Sequence, residues 1–368
     1  MTSINSIQQS DSSHRWYRQA TEQVVALREA IQVGAPLSLR PIEESACALA
    51  ASVVHDDDLV RQALGAPEGN ALVANMVRVG VFATKVGVGL NFNGEELTRL
   101  SLAALLHDIG MFTVPTSLLA KSGPLSRTDR SVLERHPIEG QRLISALGSQ
   151  YDWLAGVVRQ AHERWGGQGY PDRLHGTAIC EAAHIIGMCD LFEALISPRP
   201  YRRRLLPHEA MHEIFLKERV AFPREILKAL VEQFGVYPLG TEVRVNSGDA
   251  AIVMRTNPQF PLRPLVRVVD SHGVAHAHEA GSLDYDLSKT PHLYVTAVLH
   301  APGEGVGIDK SEATQLVAAP SAVEPERQVY ADDVAALFES LDDFAIAISD
   351  VMGSHQHELD QPSRRNPA

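Results

Sequence analysis

Cysteine is scarce in this chain of 368 residues, which has only Cys47, Cys180 and Cys189. The number is odd and no pair has the close spacing of a zinc-binding motif, so neither a disulfide framework nor a cysteine metal site is implied. The three are expected as small core residues. Long apolar runs are lacking as well: no 18 consecutive residues are apolar. Met1 to Ser13 is polar, rich in Ser and Gln, with nothing that could act as a signal. No membrane span and a cytoplasmic location are therefore expected. Positive charge is in deficit, with 33 Lys and Arg against 45 Asp and Glu and a net charge of -12. That balance argues against binding a nucleic-acid polymer through a broad basic surface, a mode that depends on counterion release. The local exception is Arg199, Arg202, Arg203 and Arg204, which reads as an anion-facing patch or as a solvated helix end.

What is present is enough apolar material, 45% of residues, for a sizeable core and more than one domain. Trp16 to Val33 and Pro41 to Leu64 carry apolar residues at helical spacing and form a helical N-terminal preface, residues 1–69. Helical patterning continues through the main domain, residues 70–235, in runs such as Val77 to Val88, Leu97 to Leu106, Leu154 to His162 and Ala182 to Leu195. The period then changes. Glu242 to Val245, Ala251 to Met254, Leu265 to Val269 and His292 to Val298 predict a small antiparallel β appendage of about four strands over residues 236–300. Residues 301–328, rich in Gly, Pro, Ala and Glu, read as a flexible linker. In residues 329–353, Tyr330, Val334, Leu337, Leu341, Phe344, Ile348 and Val351 alternate at intervals of four and three, an amphipathic heptad-like seam. Such a helix either folds back on its own domain or serves, over residues 330–351, as a surface for a protein partner or self-association. Residues 354–368 read as a disordered tail. No internal repeat of 20 to 50 residues is evident.

The chemistry concentrates between His107 and Asp190. Leu105-Leu106-His107-Asp108-Ile109-Gly110 closes an apolar helix with an imidazole and a carboxylate that can serve one metal, the second carboxylate oxygen being free to bridge to another. With 16 His in the chain, about one His-Asp pair is expected by chance, so context decides. That context is His136 before Pro137 and Gly140, then His162-Glu163-Arg164, then Asp190 on another apolar helix. Any one of these His residues is more often a hydrogen-bonded core residue than a ligand. Four segments each delivering one or two ligand groups reverse those odds.

Taken together, His107-Asp108-Ile109-Gly110, His136-Pro137 with Gly140, His162-Glu163-Arg164, Gly167 followed by Gly169-Tyr170-Pro171, Asp190 and Arg199-Pro200-Tyr201-Arg202 resemble the HD-GYP domains of the HD phosphohydrolase superfamily, bacterial enzymes that hydrolyse cyclic di-GMP. The resemblance covers about Ala71 to Phe234, and the segment opening with Tyr237-Pro238-Leu239-Gly240-Thr241 is similar to an extension common in that family. It implies a mostly α fold, the HD-superfamily helical bundle. It implies two divalent metal ions, iron or manganese, one held by His107, Asp108 and Asp190 and the other by Asp108, His136 and His162. The implied reaction opens cyclic di-GMP to the linear dinucleotide or to GMP with a hydroxide shared by the metals, and His107 and Asp108 are the central catalytic pair. Arg199 and Arg202 would grip phosphate and Tyr170 would line the pocket.

The departures from the family pattern are specific. Asn75 stands where a His usually joins the first metal, and Ala71 stands where some members carry a carboxylate for a third. Ala161 replaces the first of two adjacent His, Gly166 replaces an Asp, and Met111 replaces a Lys. Three readings stay open on the sequence. The first is a metal-dependent phosphodiesterase with a weakened site. The second is a degenerate copy that binds cyclic dinucleotide or protein partners in bacterial signalling, and the third is a nucleotidase of the wider superfamily.

Overall fold

The computed structural model describes residues 2–300 apart from 56, 68, 122, 198–203, 215–219 and 270–283. Arg199 and Arg202, the linker, the heptad-like helix and the tail lie outside the described residues.

The organising element is α4, Ala71–Gly89. Asn70 starts it by accepting from the backbone N–H of Val73, and its run of Val, Ala, Met and Phe is interrupted only by Asn75, Arg78, Thr84 and Lys85. A helix so largely apolar must be enclosed. By length and composition α4 could also cross a membrane, but 72% of that apolar window is buried inside the protein. It is surrounded by α1 (Thr2–Val33), α2 (Arg40–His55), α3 (Asp58–Leu64), α5 (Gly94–Leu106), α10 (Glu181–Ile196) and α12 (Arg224–Phe234). Phe82, Phe192 and Phe234 lock α4, α10 and α12 together, their ring centroids 5.4 to 5.6 Å apart in edge-on or tilted pairs. Each such pair contributes about 0.5–1.5 kcal/mol beyond its area.

One hydrophobic cluster runs without interruption from Ala20 and Val24 through Phe82, Leu105 and Phe192 to Val236. The helices read from sequence as a preface therefore share the core of the helices that follow. The stretch Pro41 to Leu64 divides into α2 and α3, with Asp57 at the break, where its carboxylate takes Lys85 Nζ at 2.6 Å instead of capping α3. Of the cysteines only Cys189 is a core residue; Cys47 is exposed and Cys180 half-buried.

After α12 comes a five-stranded antiparallel sheet, ordered β4-β3-β2-β1-β5, with β1 Glu242–Val245, β2 Ala250–Arg255, β3 Leu265–Val269, β4 Asp284–Asp286 and β5 Val295–His300. Val243 and Val245 point inward while Arg244 points out, the alternation expected of a half-buried strand. They meet Ala251, Val253, Val266 and Leu287 in a second, smaller core. The strand that sequence patterning overlooks is β4. It has three residues, two of them acidic, and is held to β3 by the in-register pair Arg267–Asp284, whose two N···O distances are 2.6 and 2.8 Å. A mostly helical bundle with a small antiparallel appendage is thus the architecture.

Candidate metal centre

Four chain segments reach one spot near the middle of the bundle. His107 ends α5, which is started by a reciprocal cap in which Asn93 accepts from the backbone of Glu95 and Glu96 while Glu96 accepts from Asn93. Asp108 follows, and the chain turns sharply into a 3-10 segment, Ile109–Thr113. His136 opens α8, His136–Ser145, where Pro137 fits because first-turn N–H groups need no partner within the helix. His162 lies just beyond α9, Asp152–Gln160, and Asp190 sits in the middle of α10.

Glycines make the approach possible. A Cβ on Gly110 would lie 1.9 Å from the His136 carbonyl oxygen and 2.6 Å from the Gly140 nitrogen, so only glycine lets the turn after Asp108 press against the start of α8. A Cβ on Gly169 would come within 2.5 Å of the backbone at His162, Glu163 and Arg164. Its absence folds the Tyr170 loop back over His162.

The imidazoles are set for coordination. Nδ1 of His107 lies 2.8 Å from the Ala104 carbonyl, and Nδ1 of His136 lies 2.8 Å from that of Leu133. A carbonyl can only accept, so Nδ1 carries a hydrogen and Nε2 is the nitrogen turned toward the centre, able to coordinate once it has no proton of its own. Both Nε2 atoms are buried without a hydrogen-bond partner. What faces them is carboxylate: His107 Nε2 is 3.7 Å from Asp108 Oδ2 and 3.8 Å from Asp190 Oδ1, and His136 Nε2 is 2.9 Å from Asp108 Oδ1. His162 Nε2 is 3.0 Å from Asp108 Oδ1, and its Nδ1 is 3.7 Å from Asp190 Oδ2. Nitrogen and carboxylate oxygen brought together in this way suit a shared cation, a proton in the metal-free protein or a metal ion in its place. Ligand atoms around an ion with bonds of about 2.1 Å sit about 3 to 4 Å apart, so the donor set fits a divalent metal.

Two three-residue groups can each hold an ion, His107 with His162 and Asp190, and Asp108 with His136 and His162. His162 is common to both groups, one ring nitrogen facing each carboxylate, and Asp108 is the anion that faces all three His rings. Burial opposes charge on His107, but Asp108 and Asp190 outweigh it and carry the imidazole pKa up to about 9. Burial likewise opposes ionisation of Asp190, yet His107 and then His162 hold its carboxyl down at about 2. Asp108 lies well below the usual range for the same reason, with burial overcome by His107 and His136. His162 is pushed down, chiefly by burial.

Tyr170 stacks flat on the His162 ring, centroids 5.1 Å apart and planes within 3°. Burial, then the nearby Asp108 and Asp190 carboxylates, push its phenol up, so at neutral pH it is a hydrogen-bond donor. The loop is fixed by a residue that sequence reasoning gave no role. Glu163 is fully buried and its two oxygens accept from the backbone N–H of Asp172 at 2.7 Å and Leu174 at 3.0 Å. On the outside, Arg159 grips Asp172 with two bonds of 2.6 and 2.7 Å. The signal for Glu163 was its place directly after a ligand His.

The substituted positions are distributed unevenly. Asn75 reaches the centre and donates to Asp190. Ala161 is wholly buried in the hydrophobic cluster, while Ala71 and Gly166 are exposed. The centre offers buried nitrogen and carboxylate ligands, a phenol donor and a firmly held loop above them.

Residues 63–225 match the family described as HD domain, and residues 242–302 match that described as KOW domain associated with HD domain. Residues 63–225 are therefore similar to HD domains. The resemblance to HD-GYP domains is borne out by relatives as well. A cyclic di-GMP phosphodiesterase of Pseudomonas aeruginosa, PA4108, is 33% identical over 167 residues, 45% of this chain and 40% of that protein. The cyclic di-GMP phosphodiesterase response regulator RpfG of Xanthomonas campestris is 33% identical over 159 residues, 43% of this chain and 42% of that protein. Among solved structures, Bd1817, an HDG"Y"P protein from Bdellovibrio bacteriovorus, matches over 59% of this chain and 70% of its own, with 16% identity and a TM-score of 0.48. The chain thus spans about two fifths of the length of the curated relatives it matches.

Proposed function

We propose that the protein is a metal-dependent phosphodiesterase that opens cyclic di-GMP to the linear dinucleotide or to GMP. The observation that carries this reading is the pair of buried, unpartnered Nε2 atoms of His107 and His136 facing carboxylates. The names of the relatives supply the substrate class, a cyclic dinucleotide.

In this proposal His107, Asp108, His136, His162 and Asp190 hold two divalent ions, iron or manganese. Ions bound there supply Lewis-acid charge for the phosphate oxygens and lower the pKa of a coordinated water. The rest is done by the protein. Backbone carbonyls of Ala104 and Leu133 fix the two imidazole tautomers, and Asp108 orients all three rings. Tyr170, kept protonated, offers its hydroxyl at the edge of the centre, and Glu163 holds the backbone that bears it. Arg199 and Arg202 are proposed to receive the phosphates and the 330–351 segment to serve association with a partner or a second copy, in a cytoplasmic protein.

The test is metal content of the purified protein, then incubation with cyclic di-GMP and chromatography of the products. Bound metal with linear dinucleotide or GMP supports the proposal. Metal and nucleotide binding without turnover would make the domain a non-catalytic receptor, and absence of both would overturn the reading of the centre.

A further inference from the structure

Asn75 lies on α4 across from α10, with Asp190 and Glu193 facing it from successive turns of that helix. Its Nδ2 donates to Asp190 Oδ1 at 3.1 Å and to Glu193 Oε2 at 2.8 Å. Both neighbours are carboxylate oxygens, so the amide must turn its nitrogen and not its oxygen toward them. An NH2 group has two hydrogens on one atom and can satisfy two carboxylates together; an imidazole whose other nitrogen bound a metal would have a single N–H to give.

Glu193 is itself anchored. It is 2% exposed, and its Oε1 accepts from Arg78 Nη1 at 2.8 Å and from Ser197 Oγ. Arg78 is 1% exposed and also donates to Ser197 and, through Nε, to the carbonyl of Ala63. A buried guanidinium thus neutralises Glu193, and Asn75 connects that pair to a carboxylate of the metal centre.

We infer that Asn75 is a positioning residue: it clamps the Asp190 carboxylate to the buried Glu193–Arg78 pair and so presents Asp190 in one rotation to the ion. The inference rests on the reading of the centre as a metal site. The residue that replaces a ligand has taken a supporting place, giving up a coordinate bond for two charge-assisted hydrogen bonds.

The experiment uses the full chain, Mn2+ alone as probe, and two readouts on wild type and Asn75→Ala: the Mn2+ dissociation constant by calorimetry and the thermal midpoint of the chelator-treated protein. The expected result is an affinity weakened about 10- to 100-fold together with a metal-free midpoint lowered by roughly 3 to 8 °C, because the clamp operates without the ion. Weaker affinity with an unchanged metal-free midpoint would make Asn75 a direct ligand and overturn the inference. A lower midpoint with unchanged affinity would make the contact merely structural and overturn it as well. Asn75→Asp, nearly the same shape but with acceptors only, separates the same cases if the alanine variant does not fold: the clamp predicts a lowered metal-free midpoint, a ligand role an unchanged midpoint with tighter Mn2+ binding. Wild type that binds no Mn2+ would instead refute the metal centre itself.

Discussion

Replacing Asp108 by Asn keeps the shape of the side chain and removes the one anion that the imidazoles of His107, His136 and His162 all face. Asp108 lies 3.7 Å from His107, 2.9 Å from His136 and 3.0 Å from His162, and is 9% exposed. Its carboxylate is the largest influence raising the His107 pKa from 6.5 to about 9, a shift that corresponds to about 3 kcal/mol in favour of the imidazolium in the metal-free protein. A raised folded-state pKa stabilises below the unfolded value, so this contribution is fully present below pH 6.5 and is lost as pH rises through about 9. With the Asp190 share remaining, Asp108→Asn should remove on the order of 1–2 kcal/mol from metal-free protein at pH 6. In a melt that is a drop of roughly 2 to 8 °C, fading toward pH 9 and above. The same variant should retain less than about a tenth of the wild-type metal, because a neutral amide replaces a charged ligand. Melting curves from pH 6 to 10 and metal analysis on the same preparations check both. Full metal retention, or a wild-type pH profile in the variant, would refute the assignment of Asp108.

Gly110→Ala should disrupt the centre without touching a ligand, since its Cβ would lie 1.9 Å from the His136 carbonyl oxygen; metal content should fall about as far as for a ligand substitution, and unchanged content would show that the turn can move aside. Arg78→Met leaves Glu193 buried and uncompensated, so stability measured by denaturant should drop by about 3–5 kcal/mol. Metal must displace the His107 proton below pH 9, so the apparent Mn2+ affinity should rise about tenfold for each pH unit from 6.5 toward 9, with proton release visible by calorimetry in buffers of different ionisation enthalpy. A flat affinity profile would count against His107 as a ligand.

The sequence was informative where a residue type and its local rhythm decide the outcome. Helical periodicity marks α5, α9 and α10, and polar residues breaking an apolar rhythm at His107, Asp108 and Asp190 mark the centre. It was silent where the partner decides. Nothing local distinguishes α1 and α2 as a separate preface from helices that share the core of α4, because an apolar stripe does not say what it packs against. Asn75 looks like a lost ligand until Asp190 and Glu193, more than a hundred positions away, appear beside it. Strand β4 has no alternation to detect, and its pairing with β3, which includes the Arg267–Asp284 ion pair, is made by residues distant in sequence.

That the proposed ligands come from four separate segments, from His107 to Asp190, bears on how the chain would acquire an ion. No short stretch contains a complete site, so the ion cannot organise a local nucleus; α5, α8, α9 and α10 must first be brought together by burial of their apolar faces. Once bound, the ion ties these four segments, and they cannot separate without releasing it. Loading should therefore leave the refolding rate nearly unchanged and slow unfolding, making the metal a brake on opening that can be read in stopped-flow traces with and without chelator.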